Sequence, residues 1–436
     1  MGTHVCVIGL WHLGCVYSAC FAKLGYEATG TDENKTIIEN LRRGRAPVFE
    51  PGLNDLIAEG MASGRLNFTD DIEEGLRNAE YVIIAYDTPV DTEDKMDLSP
   101  VLRAATRLKS STRHATVVVS SQVPVGTCEQ VASIFASSGM DLSLAYVPEN
   151  LRLGKAIECF MSPDMIVIGA KDPSAMVKAR ALFAPIRTRI IEMDLRSAEM
   201  TKHALNAFLA TSISFANEIG NICDLIGADG MKVAEALKSD SRIGAGALLR
   251  PGLGFSGGTL ARDLMALREM AERLGYQPLL IDSVLSVNQR QNASIVPKLA
   301  QLVGRLEGKS VGVLGLTYKA GTSTLRRSAA LEIARLLEHA GASVKAFDPH
   351  VSKLDVSSEP LSLCDDPYGV CRNADVLLIL NDWPGFTELD FERIRSMMNE
   401  PVVLDAQNLL DPERMVEYGF TYMGVGRGAK RRPVDS

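Results

Sequence analysis

Short apolar runs recur along the first third of the chain, each followed by a polar turn and then by positions with helical spacing. His4–Gly9, Tyr26–Asp32, the stretch from Tyr81 to Ala85 and Val117–Val119 are such runs. Runs this continuous read as strands buried on both faces of a parallel sheet. Between the first two lies a helical pattern, Cys15 to Leu24, ended by Gly25. From Ser197 to about Ile226 the helical period continues with few breakers, well beyond the ~12 residues usual in globular proteins. After a short polar link, Leu302 to Lys309, the strand pattern returns in Ser310–Gly315, Ala342–Pro349, Ala374–Leu380 and Val402–Asp405. The pattern predicts an α/β chain with two Rossmann-like doubly wound domains joined by a long central helix and a helical domain. The expected division is 1–196, 197–300 and 301–436. Its 436 residues fit this, since single cores rarely grow past roughly 250–300 residues.

Composition narrows the function classes. Hydrophobic content of 46% with 6% aromatics suits an aliphatic α/β protein. A net charge of −8 argues against a nucleic-acid binder, and the basic stretch Arg427 to Arg432 reads as a solvated end. The eight cysteines contain no CxxC pair and sit mostly in apolar runs, as in a reduced, intracellular chain. Six scattered histidines offer no metal-ligand spacing, so no metal is expected. No apolar run approaches the ~20 residues of a membrane span. The N-terminus enters a strand at once, leaving no room for a signal peptide. A cytoplasmic enzyme or binding protein is the expectation.

Two glycine-rich turns carry the candidate chemistry. The first, Gly9-Leu-Trp11-His-Leu-Gly14, joins a strand to a helix, and the next strand ends on Asp32, 23 residues after Gly9. Strand, turn, helix, strand and acid form a dinucleotide-binding βαβ unit, with pyrophosphate at the helix N-terminus and Asp32 on a ribose hydroxyl. An acid there repels a 2′-phosphate, which favours NAD over NADP. Trp11 stands where the fingerprint has its middle glycine, so its side chain must turn away or the dinucleotide must sit differently. The second, Arg250 to Asp263, places Gly252, Gly254, Gly257 and Gly258 within seven positions, where backbone can approach a ligand closely. A helix is expected over Leu264 to Leu274, with Arg262 and Asp263 at its mouth. Lys202 and Asn206, at i,i+4 in the long helix, share one face.

This second stretch resembles the active-site loop of the UDP-glucose/GDP-mannose dehydrogenase family, G-x-G-F-G-G-x-C-x-x-K-D. The family's nucleophilic cysteine falls on Thr259 and its lysine on Arg262. Further matches follow in order: Leu41 to Leu53 with L-x-x-G-x-x-P-x-x-E-P-G-L, Thr88-Pro89 with G-T-P, and Ser121-Gln122-Val-Pro-Val-Gly126 with S-T-V-P-V-G. Glu149-Asn-Leu-Arg-Leu153 resembles E-F-L-R-E, keeping the first acid and losing the second. Ala198-Glu199-Met-Thr-Lys202 with Asn206 resembles A-E-x-x-K-x-x-x-N, and Gly315 to Ser328 resembles G-L-x-F-K-x-x-T-D-D-x-R-E-S. Ser323 and Thr324 replace the acidic pair there, and Arg327 the later Glu.

The resemblance implies NAD as cofactor, held by Gly9, Trp11, Gly14, Asp32, Thr88, Pro89 and Gln122. It implies a nucleotide-sugar substrate, a UDP-hexose above all, held by Arg242, Gly254, Phe255, Gly257, Lys319 and Arg326, with residues 301–436 binding the uridine diphosphate half. It implies catalytic roles for Glu149 as general base, for Lys202 and Asn206 at the reacting oxygen, and for Thr259 and Asp263. A homodimer built on the central helix is also implied. In the family two hydrides leave C6 of the sugar, the second from a cysteine adduct; here a threonine hydroxyl stands in the nucleophile's place. Three functions stay open: a dehydrogenase completing at least the first oxidation, a redox-neutral epimerase-like enzyme with bound NAD, and a non-catalytic nucleotide-sugar binder. Retention of Lys202, Asn206 and Asp263 favours catalysis.

Overall fold

The structure is a computed structural model that describes residues 2–88, 96–108, 115–140 and 142–430. The chain forms two compact units, Met1–Ala204 and Leu205–Ser436. The first is built on eight strands: β1 (His4–Ile8), β2 (Glu27–Thr31), β3 (Leu66–Thr69), β4 (Tyr81–Ile84), β5 (Thr116–Val119), β6 (Ser143–Tyr146), β7 (Met165–Ala170) and β8 (Arg189–Asp194). Their order is β3-β2-β1-β4-β5-β6-β7-β8, parallel except at β6/β7. Side-chain alternation sends Val5 and Val7 into one core and Cys6 and Ile8 into the other, which is why β1 is apolar at every position after His4. Helix His12–Lys23 covers the first of these cores, with Phe21 packed edge-on against Tyr17, Tyr26 and Phe160. Strand order reverses between β1 and β4, so a ligand crevice opens at their carboxyl ends.

The second unit holds helices Gly230–Ser239, Thr259–Arg273, Leu279–Ala293 and Ile295–Val303 before its own sheet. The strands are β9 (Ser310–Leu314), β10 (Ser343–Phe347), β11 (Ser362–Leu363), β12 (Val376–Ile379), β13 (Val402–Asp405), β14 (Thr421–Gly424) and β15 (Gly428–Lys430). They lie in the order β11-β10-β9-β12-β13-β14-β15, all parallel except the last pair. Val311 and Val313 face one core and Leu314 the other. The central helix runs from Leu195 to Ile226, two residues longer at its start than the pattern predicts.

One element differs from expectation in a way that matters. The helix predicted from Leu264 begins at Thr259, with Gly258 as its N-cap. Leu260, Leu264 and Leu267 share one face and pack with Ala207, Ala210 and Phe255, so burial draws the glycine stretch's end into helix. Thr259 is thus the first helical residue, with Arg262 in the first turn and Asp263 just beyond it, rather than ahead of the helix. Among the described residues no helix is long and apolar enough to cross a membrane.

Candidate active site

The first crevice is built around the turn after β1. Gly9 adopts φ +94°, and a Cβ there would meet the Tyr86 ring at 2.8 Å. A Cβ on Gly14 would fall 1.8 Å from the Gly9 carbonyl, so helix and strand meet this closely only with glycine. Trp11 has φ −98°, which any residue adopts, and its side chain is 49% exposed. It stands outward instead of filling the turn. Asp32, at the end of β2, accepts the Leu10 N–H at 2.8 Å and the Asn34 N–H at 2.9 Å. These residues fit a dinucleotide: two positions without Cβ, a helix N-terminus and a carboxylate at the second strand's end. Thr88 and Gln122 are buried together, the Thr88 hydroxyl donating to the Gln122 carbonyl at 2.7 Å. Pro89 lies outside the described residues.

Two buried acids brace this unit. Glu50 accepts from Gly154 N–H and Ala156 N–H, both at 2.8 Å, and pairs with His12 Nε2 at 2.9 Å. It therefore ties the glycine turn to the loop that follows Glu149. Glu199 accepts from Gly126 N–H at 2.6 Å and Cys128 N–H at 2.7 Å, capping helix Thr127–Ser137 from a distance. Burial pushes Glu199 above the ordinary carboxylate range, against the pull of these two amides. One turn further along, buried Lys202 lies 3.5 Å from Glu149 Oε1 and 3.4 Å from Asn150 Oδ1. Glu149 and Lys202 are thereby brought together, while Leu153 leaves no second acid in that loop.

In the second unit the glycine stretch is clamped by amides. Asn217 accepts from Gly252 N–H at 2.8 Å and donates to the Leu253 carbonyl at 2.9 Å. Asn288, Gln291 and Asn292, on one face of helix Leu279–Ala293, bond to Phe255, Gly252 and Gly254 in turn. A Cβ on Gly254 would meet Asn288 Oδ1 at 2.7 Å, and one on Gly257, at φ +78°, the Tyr318 ring at 2.9 Å. The clamped loop delivers Thr259 to an exposed position, its hydroxyl without a hydrogen-bond partner among the described residues. Asp263, fully buried, accepts from the Asn206 amide.

A cavity of about 320 Å³ opens between this loop and the carboxyl ends of β9, β12 and β13, lined by Arg250, Gly254, Phe255, Lys319, Asn381 and Gln407 among others. Its floor repeats the first unit's design. Asp348, just past β10, accepts from Leu316 N–H at 2.8 Å and Thr317 N–H at 3.0 Å, as Asp32 does from Leu10. Ser328 and Thr322 donate to the carbonyls of Leu316 and Lys319 and hold the intervening turn. Arg326 is exposed in that turn and does not line the cavity. Arg242 is exposed and pairs with Asp240 through two bonds, 3.0 and 2.7 Å. Sequence reasoning named neither Asn288, Gln291 and Asn292 nor the pairing of Glu50; polar side chains at i, i+3 and i+4 on a helix's inward face are the signal that could have found the first three.

Two nucleotide-type βαβ units and a buried Lys, Asn and Asp define the class: an NAD-dependent oxidoreductase acting on the CH–OH group of a nucleotide sugar. Profiles of the UDP-glucose/GDP-mannose dehydrogenase family match in three consecutive parts, the NAD binding domain over 3–187, the central domain over 196–290 and the UDP binding domain over 312–412. The chain belongs to this family. It is 37% identical to UDP-glucose 6-dehydrogenase TuaD of Bacillus subtilis (strain 168), over 98% of this chain and 94% of that protein. A UDP-glucose 6-dehydrogenase of Pseudomonas aeruginosa is likewise 37% identical, over 97% of each. Among solved structures, a UDP-glucose dehydrogenase from Pyrobaculum islandicum superposes with a TM-score of 0.88 at 34% identity, covering 98% of both chains.

Proposed function

We propose that the protein oxidises C6 of a UDP-hexose from alcohol to aldehyde and lacks the covalent second step. The observation that carries this reading is Thr259, exposed at the cysteine's place, its hydroxyl with no base bonded to it among the described residues. A thiol near pKa ~8.5 is partly ionised at neutral pH, whereas a threonine hydroxyl acts only beside a base. For the first oxidation the buried groups suffice. Lys202, beside Glu149, supplies a cation and a proton route for the alcohol oxygen. Asn206, held by Asp263, supplies an N–H donor to the charge developing there. NAD, when bound, supplies the hydride acceptor. Lys319 in the second cavity offers the cation for a diphosphate. The relatives named UDP-glucose 6-dehydrogenase support glucose as the sugar and uridine as the base. We place the substrate's nucleotide in 301–436 and the subunit contact in 197–300, the reading that the division 1–196, 197–300 and 301–436 expresses. Of the alternatives, a non-catalytic binder has little use for Lys202, Asn206 and Asp263, each buried; an epimerase-like enzyme using bound NAD would give no net NADH.

The test is the number of NADH formed per UDP-glucose consumed in a first turnover. The expected value is nearer one than two, with a carbonyl product trapped by a hydrazine and no enzyme–sugar adduct in the intact mass. Thr259→Cys should raise the ratio toward two. A clean ratio of two in the parent protein without trappable carbonyl overturns the proposal.

A further inference from the structure

Helix His12–Lys23 starts without a side-chain cap from Trp11 and without an acid in its first turn. Its leading amides therefore point into the crevice with the partial positive charge of a helix N-terminus. One of them is already taken. The Leu13 N–H donates to Asp87 Oδ2 at 3.3 Å, and Asp87 comes from the loop that follows β4, across the strand-order reversal. On the other side of Trp11 the Leu10 N–H donates to Asp32 Oδ2. Two carboxylates thus sit on amides of a turn whose expected ligand is itself an anion. A third group registers both charges: burial first, and then Asp87 and Asp32, push up the thiol of Cys15 in the same helical turn.

The two acids differ in how they are held. Asp32 is half-buried and bonded by two amides, Leu10 and Asn34. Asp87 is exposed and reaches the turn through a longer bond of 3.3 Å, one among its interactions. The pyrophosphate of a dinucleotide needs the helix N-terminal amides and brings negative charge to within a few ångströms of both. We propose that Asp87 is an internal competitor for the cofactor's pyrophosphate: it holds the Leu13 amide that the pyrophosphate needs, must give that amide up when the dinucleotide enters, and so sets NAD affinity below what the turn would otherwise give. Asp32 acts in the opposite sense, through the ribose. The inference rests on the NAD reading of this turn.

Calorimetric titration of the full-length protein separates these roles. The parent, Asp87→Asn, Asp87→Gly and Asp32→Asn are each titrated at neutral pH with NAD, ADP-ribose and adenosine. Asp87→Asn and Asp87→Gly are expected to bind NAD and ADP-ribose about tenfold more tightly than the parent, the scale of one unit charge removed near an anion. Adenosine, which has no pyrophosphate, should bind all three alike, and Asp32→Asn should bind NAD more weakly. Without ligand, Asp87→Gly should melt about 1–3 °C below the parent, because the helix loses its cap, whereas Asp87→Asn, whose amide oxygen still accepts from Leu13 N–H, should melt close to the parent. A residue with a merely structural role would lower stability and affinity together. Unchanged or weaker NAD affinity in both Asp87 variants, or an equal gain for adenosine, overturns the inference while leaving the cofactor reading intact. Failure of the parent and every variant to bind NAD overturns both.

Discussion

A single tryptophan shows how far one residue can depart from a fingerprint without breaking it. The middle glycine of a dinucleotide turn is needed either for its backbone conformation or for its missing side chain. At Trp11 the φ of −98° lies outside the left-handed region that favours glycine, and the indole projects outward. Trp11→Gly is therefore expected to leave NAD affinity within a few-fold of the parent in a calorimetric titration; a gain beyond tenfold would show that the indole crowds the dinucleotide. Asp32 is the complementary case. Asp32→Ala should weaken NAD and narrow its preference over NADP, because the repulsion toward a 2′-phosphate goes with the carboxylate; NADP binding as tight as NAD in the parent would contradict this. In the second unit the structure redistributes expectation between two cations. Lys319 lines the cavity and Arg326 stands outside its lining. A charge-assisted phosphate contact contributes about 1.5–3 kcal/mol, so Lys319→Ala should weaken UDP-sugar binding at least tenfold. Arg326→Ala should have the smaller effect, and the reverse ranking would relocate the diphosphate.

At the scale of elements, helix ends carry much of the internal organisation. Asp229 caps helix Gly230–Ser239 through Met231 and Lys232 N–H and also pairs with Arg427 at 3.0 Å. Burial opposes its charge, but Arg427 and the two amides hold the carboxyl below the ordinary aspartate range. A depressed folded-state pKa means stability that is present above the unfolded value of ~3.9 and is lost as pH falls through the lower one. Asp229→Asn should lower stability at neutral pH by about 1–2 kcal/mol, by removing the charged partner of Arg427, since asparagine caps a helix about as well as aspartate. It should also flatten the acid side of a melting-temperature profile; an unchanged slope below pH 5 would assign that slope to other carboxyls. The central strands β1, β2, β4, β5, β9, β10, β12 and β13 were legible from apolar runs, because a parallel sheet buried on both faces leaves that pattern, whereas strands such as β3, β8, β11, β14 and β15 carry no such continuous run and were not. The start of helix Thr259–Arg273 was not, because three leucines packing on Phe255 and the central helix outweighed the glycines before it.

At the scale of the whole molecule, the central helix leaves apolar surface in solvent. Phe208, Phe215 and Ile222 recur at seven-residue intervals and are 70%, 47% and 47% exposed, with Leu225 at 86% beyond them. A stripe this regular, on a helix whose other face is already packed, fits burial against a second copy of the chain. Phe215→Glu is expected to convert a dimer into a monomer in sedimentation at micromolar concentration. A parent protein that sediments as a stable, active monomer there would exclude that assembly.

Local chemistry determined the βαβ units, the acids closing their second strands, the aliphatic sheets and the family's motif order, since each depends on residues close in sequence. Local chemistry also placed Thr259 where the family has its thiol. Tertiary structure alone decided which distant side chains became partners. Asn288, Gln291 and Asn292 became the clamp of a loop more than thirty residues earlier, Glu50 the brace between His12 and the loop after Glu149, and Asp87 a cap for a helix that begins seventy-five residues before it. The physical reason is the obligation of buried or helix-terminal N–H groups to find an acceptor. That obligation is written in every sequence, but only the fold brings the acceptor within hydrogen-bond reach.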